Sequence, residues 1–265
     1  MKIRLIIISA FLMLFAIALA GCKPASDAAN RKPAAARDNT AASKSDASGV
    51  IHSGTGEEKE KPEAGKANVQ GKVFFNEKPA AGIEVKLCEK FSQYFSGCGG
   101  QTFTTKTDAN GEYLIKSVPP GVYEGLTAKV FDTPYYVFAT SGIVSSAKYQ
   151  LDADETFFAP DTHLFKSDLR LLSPKAAAKV GPEGIEVKWE PYPDAAYYKF
   201  SIHADTSTPA KAEYDFINKR VDGTSFVLDK ALAPGGYSVK VSAYNSNDRK
   251  LADSSSDIKF TVTSP

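Results

Sequence analysis

From about residue 68 to the C-terminus, no stretch of ten residues repeats apolar side chains at helical spacing. Short runs instead alternate apolar and polar residues and break at Gly, Pro, Asn or Asp. That pattern confines the chain to an all-β fold of two consecutive β-sandwiches, in which each strand buries one face. Val69 to Phe75, Ile83 to Cys88, Gln101 to Thr107, Glu112 to Lys116 and Val122 to Phe131 read as strands of the first sandwich. Tyr135 to Ala139, a piece near Ala147 to Leu151, and His163 to Lys166 complete its sheets. In the second, from about Asp168, three sets alternate onto single faces: Ile185, Val187 and Trp189; Tyr198, Phe200 and Ile202; and Val239, Val241 and Ala243. The lone tryptophan, placed on such a face, is expected in the core rather than on a ligand platform.

Within the first unit, TDANG (residues 107–111) raises a choice between a cation-binding loop and a hairpin turn. Asn110-Gly111 favours the turn, as the strongest two-residue hairpin signal, because both positions accept positive φ. An EF-hand loop needs further carboxylates at fixed positions and a closing glutamate, which this sequence lacks.

The N-terminus has a different character. Lys2 and Arg4 precede an uncharged apolar run from Leu5 to about Leu19, which is too short to span a bilayer comfortably and has the layout of a secretory signal peptide. Its end, Leu19-Ala20-Gly21-Cys22, resembles the lipobox of bacterial lipoproteins. The resemblance implies cleavage before Cys22, diacylglycerol on its thiol and a palmitate-type acyl chain on the new amino group. Several chains anchor durably where one holds only marginally. Lys23, in place of the Asp that retains lipoproteins at the inner membrane, implies delivery to the outer membrane. The expected location is therefore outside the cytoplasm, on the periplasmic or surface face.

With Cys22 acylated, Cys88 and Cys98 remain, and export places them in an oxidising compartment where a disulfide is expected. Closing this loop restricts the unfolded chain by roughly 2–3 kcal/mol. A thiolate metal site would need further ligands, and no His or Cys lies close enough in sequence to supply them. Residues 22–68 carry no aromatic side chain, and Val50 and Ile51 are their only large aliphatics, so they are expected to form a disordered tether spanning roughly 35–40 Å. The expected organisation is a signal peptide over 1–21, the tether over 22–68, and sandwiches over 69–167 and 168–265.

Two resemblances refine this. VQGKVFFNEKPAAGIEVKLC, followed by TKTDANGEYLIKSVPPGVYEGLTAKV, resembles the carboxypeptidase regulatory-like domain, a transthyretin-like sandwich grouped with carbohydrate-binding-like folds. In carboxypeptidases this module lies beside the catalytic domain and carries no catalytic residue. From about Asp168 the chain resembles a fibronectin type III domain, with Tyr237 after Leu232-Ala233-Pro234-Gly235-Gly236 at the place of that family's tyrosine corner.

Nothing in the sequence is arranged for catalysis. His52, His163 and His203 form no H-x-x-E or H-E-x-x-H pair, and no nucleophile elbow, Walker loop or dinucleotide fingerprint occurs. Asp152, Asp154, Glu155 and Asp161 are the densest acids of the folded part and read as exposed loop residues rather than a Ca²⁺ site. His203 and Asp205 read as surface residues. No cofactor is expected. Lys and Arg number 32 against 31 Asp and Glu, which leaves no global field for nucleic acid. Binding is the open function. Phe91, Tyr94 and Phe95 of the Cys88–Cys98 loop, with Tyr135 and Tyr136, either stack on a glycan or a partner protein, or fold back as a lid over the sandwich. The expected role is a non-catalytic, membrane-anchored adhesion or scaffold module; the alternatives are a carbohydrate-binding module and an accessory subunit of a separate envelope hydrolase.

Overall fold

The computed structural model describes residues 49–92, 97–139, 147–205, 208, 217–255 and 258–264. The leader, Cys22, Tyr94 and Phe95 lie outside them. The described residues are all-β, without a helix, and belong to one compact unit, Asn39–Pro265, that holds two separate hydrophobic cores.

The first core lies among β1 (Val50–Ile51), β2 (Ala67–Phe75), β3 (Lys78–Pro79), β4 (Glu84–Ser92), β5 (Gly97–Lys106), β6 (Glu112–Val118), β7 (Gly121–Tyr123), β8 (Gly125–Lys129), β9 (Tyr136–Phe138), β10 (Lys148–Leu151), β11 (Thr156–Phe158) and β12 (Thr162–Leu164). One layer is centred on β2, with β6 antiparallel to it and β11 and β12 parallel along its other side. The facing layer is the antiparallel sheet β5-β4-β8-β9, beside the small sheet β1-β10-β7. Val69, Val73, Tyr113 and Ile115 meet Val85, Leu87, Leu126 and Ala128 between the layers, so the period-two alternation delivers its apolar face to the core.

Residues 49–68, expected to belong to a disordered tether, are instead part of the fold. Val50 and Ile51 pair in parallel with Lys148 and Tyr149, and Ile51 is completely buried in the first core. Residues 52–66 then wrap the outside of the sandwich. Gly54 N donates to Phe158 O, and the Gln70 amide reads the strap twice, accepting from Lys59 N and donating to Glu57 O. Asn68 donates to Glu60 O, Glu60 pairs with Lys116, and Gly65 N donates to Asp154. A segment average of hydrophobicity misses this, because one isoleucine and a few side-chain amides do the holding.

The turn at residues 108–111 also differs from the expected two-residue form. Gly111 N donates to Asp108 O and takes φ 71°, while the Asp108 carboxylate accepts from the amides of Asn110 and Glu112. This is a type I turn closed by a left-handed glycine. A Cβ at Gly111 would stand 2.6 Å from Val73 O, so only glycine fits. The two-residue hairpin with positive φ at both positions is Asn76-Glu77, joining β2 to β3.

The second core lies among β13 (Lys166–Leu169), β14 (Leu171–Ser173), β15 (Lys179–Val180), β16 (Glu186–Trp189), β17 (Tyr197–Ala204), β18 (Ile217–Val221), β19 (Ser225–Val227), β20 (Gly235–Tyr244), β21 (Lys250–Ser254) and β22 (Ile258–Val262). The sheet β14-β16-β19 faces the sheet β13-β21-β20-β17-β18, whose β20 also pairs with β22. Trp189 is buried from one layer and Phe200, Ile202, Val239 and Val241 from the other, as the alternation requires.

A shared corner braces both sandwiches. Tyr237 donates to Ala233 O at 2.8 Å, and Tyr123 donates to Pro119 O at 2.9 Å. Each tyrosine follows a Pro-Gly pair whose glycine, Gly121 or Gly235, has φ near 150°. Removing either hydroxyl orphans a carbonyl; Tyr237→Phe and Tyr123→Phe are each expected to lower stability by about 1–2 kcal/mol in urea unfolding.

A single residue separates the two cores' strands. β12 pairs with β2, and β13 with β21, with only Phe165 between them. The Asn76-Glu77 turn reaches across this joint. Asn76 donates to Asp194 Oδ2 at 2.7 Å and accepts from buried Asn245 at 3.1 Å, while Glu77 pairs with Arg249. Lys166 stacks over Phe75 and Phe131, and Lys250 over Phe165.

Candidate functional site

The outer face of the β5-β4-β8-β9 sheet carries Phe91, Tyr136 and Phe138, none of them fully buried. On β9, core-facing Val137 separates Tyr136 and Phe138, which therefore share the other face. Phe91, at the end of β4, packs edge-on against Phe138 with ring centroids 4.7 Å apart and lies over Gly125, where a Cβ would stand 3.1 Å from its ring. Gly125 thus makes room for the ring. The Cys88–Cys98 disulfide, Cα atoms 5.4 Å apart, ties β4 to β5 at this end, within the ordinary spacing for such a bridge.

Charge fixes the rest. Lys86 donates to Tyr136 Oη at 3.1 Å, lies over its ring at 5.1 Å and pairs with Glu84, which also accepts from Tyr136. The bonds to Tyr136 and then Glu84 raise the Lys86 pKa, and the Lys86 bond lowers that of Glu84. Tyr136 is thereby held in place while 38% exposed, and neighbouring Tyr135 is 61% exposed. Such a face, of oriented rings beside a charged pair, can stack on a sugar or seat a protein side chain.

Of the five aromatics singled out in sequence, the structure brings Phe91 and Tyr136 to one face, leaves Tyr135 projecting at its margin, and Tyr94 and Phe95 lie outside the described residues. Phe91 is half-buried. Phe138 was missed, although its two-residue spacing from Tyr136 on an expected strand carried the signal.

The acids at 152–161 do not converge. Asp152 accepts from Gln150, Asp154 accepts from Gly65 N, and Asp161 lines a separate groove of about 480 Å³ between the strap and β2. Among the described residues no group of three or more His, Cys, Asp or Glu side chains is placed to hold a metal ion.

Beside that groove, Lys59 of the strap meets Asp108 at 2.8 Å and Glu112 at 2.7 Å, and Lys72 also reaches Glu112. The Lys59 bond holds both carboxyl groups below their ordinary values. Groups depressed in this way stabilise the fold above their unfolded pKa, near 4, and that contribution is lost as pH falls through the folded value. The unfolding midpoint is expected to drop as pH falls below about 4, and Lys59→Met is expected to flatten that drop; parallel pH profiles of melting would contradict the assignment.

No family model matches the chain, and no curated protein matches it. Solved structures similar to it include the FN1–FN3 domains of chicken CNTN1, at 15% identity over 76% of this chain and 65% of that one, TM-score 0.28. The fibronectin(III)-like modules of Clostridium thermocellum CbhA match at 16% identity over 86% of this chain and 93% of theirs, TM-score 0.27. The major pilin SpaD of Corynebacterium diphtheriae matches at 11% over 74% and 64%, TM-score 0.26. The chain thus spans about two thirds of the CNTN1 and SpaD chains.

Proposed function

We propose that this chain is a non-catalytic envelope lipoprotein, anchored through acylated Cys22 in a bacterial outer membrane, whose two fused sandwiches form a one-piece binding scaffold. The carrying observation is the joint. A single residue, Phe165, separates strands that belong to different cores, and the Asn76-Glu77 turn bridges them with polar contacts. A joint so short presents both sandwiches to a partner in fixed relation, as suits an adhesion or scaffold module. The first sandwich is assigned to the carboxypeptidase regulatory-like group and the second to the fibronectin type III group on the motifs quoted above. The partner is another envelope protein. Cross-linking in whole cells, followed by capture of the lipidated chain from detergent, is expected to recover an envelope protein linked to residues of the folded unit. Recovery of none, or turnover of a small substrate by the purified chain, would contradict the proposal.

One observation favours a glycan as the second reading: Phe91, Tyr136 and Phe138 share a sheet face, and Tyr136 is held by Lys86 and Glu84. On this reading Tyr136→Ala abolishes glycan-array binding by the purified chain without lowering its melting temperature by more than a few degrees. Unchanged array binding would exclude the platform.

A further inference from the structure

The last strand of the β5-β4-β8-β9 sheet is open. Among the described residues only β4 pairs with β5 (Gly97–Lys106), which is ten residues long. Monomeric proteins protect edges of that length with charges, proline or very short strands, because the free row of N–H and C=O groups is a template for another chain. The other edges here are protected in those ways. β9 has three residues and β1 two, β6 carries Glu112 and Lys116, and β18 carries Lys219 and Arg220. On β5 there is no charge and no proline from Gly97 to Thr105. Gly100, with φ 71°, interrupts the strand's start, and Thr102–Lys106 continue as a regular ladder against Glu84–Cys88. Gln101, Thr102 and Thr104 are exposed.

The run is also self-complementary. In an antiparallel two-fold pairing centred on Phe103, Thr102 of one copy faces Thr104 of the other, and Gln101 faces Thr105. From Gln101 to Thr105 every position then opposes an uncharged side chain, a favourable cross-strand pairing, and Lys106 falls opposite Gly100 rather than another lysine.

We propose that a second copy of this chain docks on β5, antiparallel and centred on Phe103, joining two four-stranded sheets into one of eight strands. The pairing is independent of what the aromatic face binds. It sets two such faces side by side on one continuous surface, so that any ligand long enough to span them is held by both.

The test is sedimentation equilibrium of the full chain in detergent over a wide concentration range. Wild type is expected to show a reversible monomer–dimer equilibrium. Thr102→Lys with Thr104→Lys sets lysine against lysine at two symmetric places and is expected to weaken the dimer at least about tenfold. Thr102→Glu with Thr104→Glu is expected to do the same. Mixing the lysine and glutamate variants is expected to restore a heterodimer at least as tight as wild type. All four substitutions fall on exposed edge positions, so unchanged melting separates lost pairing from lost folding. A monomeric wild type, a dimer indifferent to these charges, or variants that fail to pair when mixed would each overturn the proposal.

Discussion

Replacing Ile51 by alanine is expected to destabilise the first sandwich by about 2–4 kcal/mol, the range for truncating a fully buried isoleucine whose site cannot collapse completely. Residues so near the N-terminus would have no such effect if they belonged to a free tether. Ile51 is wholly buried among the side chains of the first core, and its strand closes the open edge of β10. Truncation before Asn68 is expected to cost more, because it also removes the backbone contacts to Gln70 and Phe158 and the Lys59 and Glu60 ion pairs. The variant Val50→Ala, at a half-buried neighbour, is the control and should cost under half as much. Equal and negligible losses at both positions, measured by denaturant unfolding, would return the strap to the tether.

The second large effect concerns the anchor. With the lipoprotein leader exchanged for an ordinary secretory leader and Cys22 changed to serine, the chain is expected to leave the membrane pellet entirely. Attachment in this account comes from acyl chains alone, each buried methylene contributing about 0.8 kcal/mol. No helix among the described residues is long and apolar enough to cross a membrane. Mass analysis of the wild-type N-terminal peptide should find both modifications on Cys22. A variant that still pellets, in washes that strip peripheral proteins, would show a second attachment and refute the lipid as sole anchor.

What sequence alone reveals here follows from the range of the interactions involved. Strand faces such as Ile185, Val187 and Trp189 were legible because alternation is local and their burial follows from it. The corner at Tyr237 was legible through the resemblance to fibronectin type III domains, and it is a local feature, since donor and acceptor lie four residues apart. Ile51 was not, because its partner strand lies about a hundred residues away and its own surroundings are polar. The joint was equally hidden. Asn76 meets Asp194 and Asn245 across sequence gaps of 118 and 169 residues, and nothing in FFNEKP marks its turn as an inter-sandwich contact. Asn110-Gly111 misled in detail: the dipeptide signals a two-residue turn, yet Asp108 captures the amides of Asn110 and Glu112 and converts it into a longer one. In the candidate site, the disulfide loop drew attention to Phe91, and a neighbouring turn to Tyr135 and Tyr136. Phe138 joins them only because β8, paired with β4 on one side and β9 on the other, brings both strands into one sheet.

Fixed geometry between the two sandwiches is the property the scaffold reading depends on, and pulsed electron paramagnetic resonance measures it directly. Spin labels at Lys116 on β6 and Lys188 on β16, both solvent-accessible and in different sandwiches, are expected to give one narrow distance distribution. Inserting Gly-Ser residues after Phe165 should broaden it sharply, and Asn76→Ala should broaden it in part. A wild-type distribution as broad as that of the insertion variant would mean that the sandwiches swivel freely, and the one-piece scaffold would be wrong.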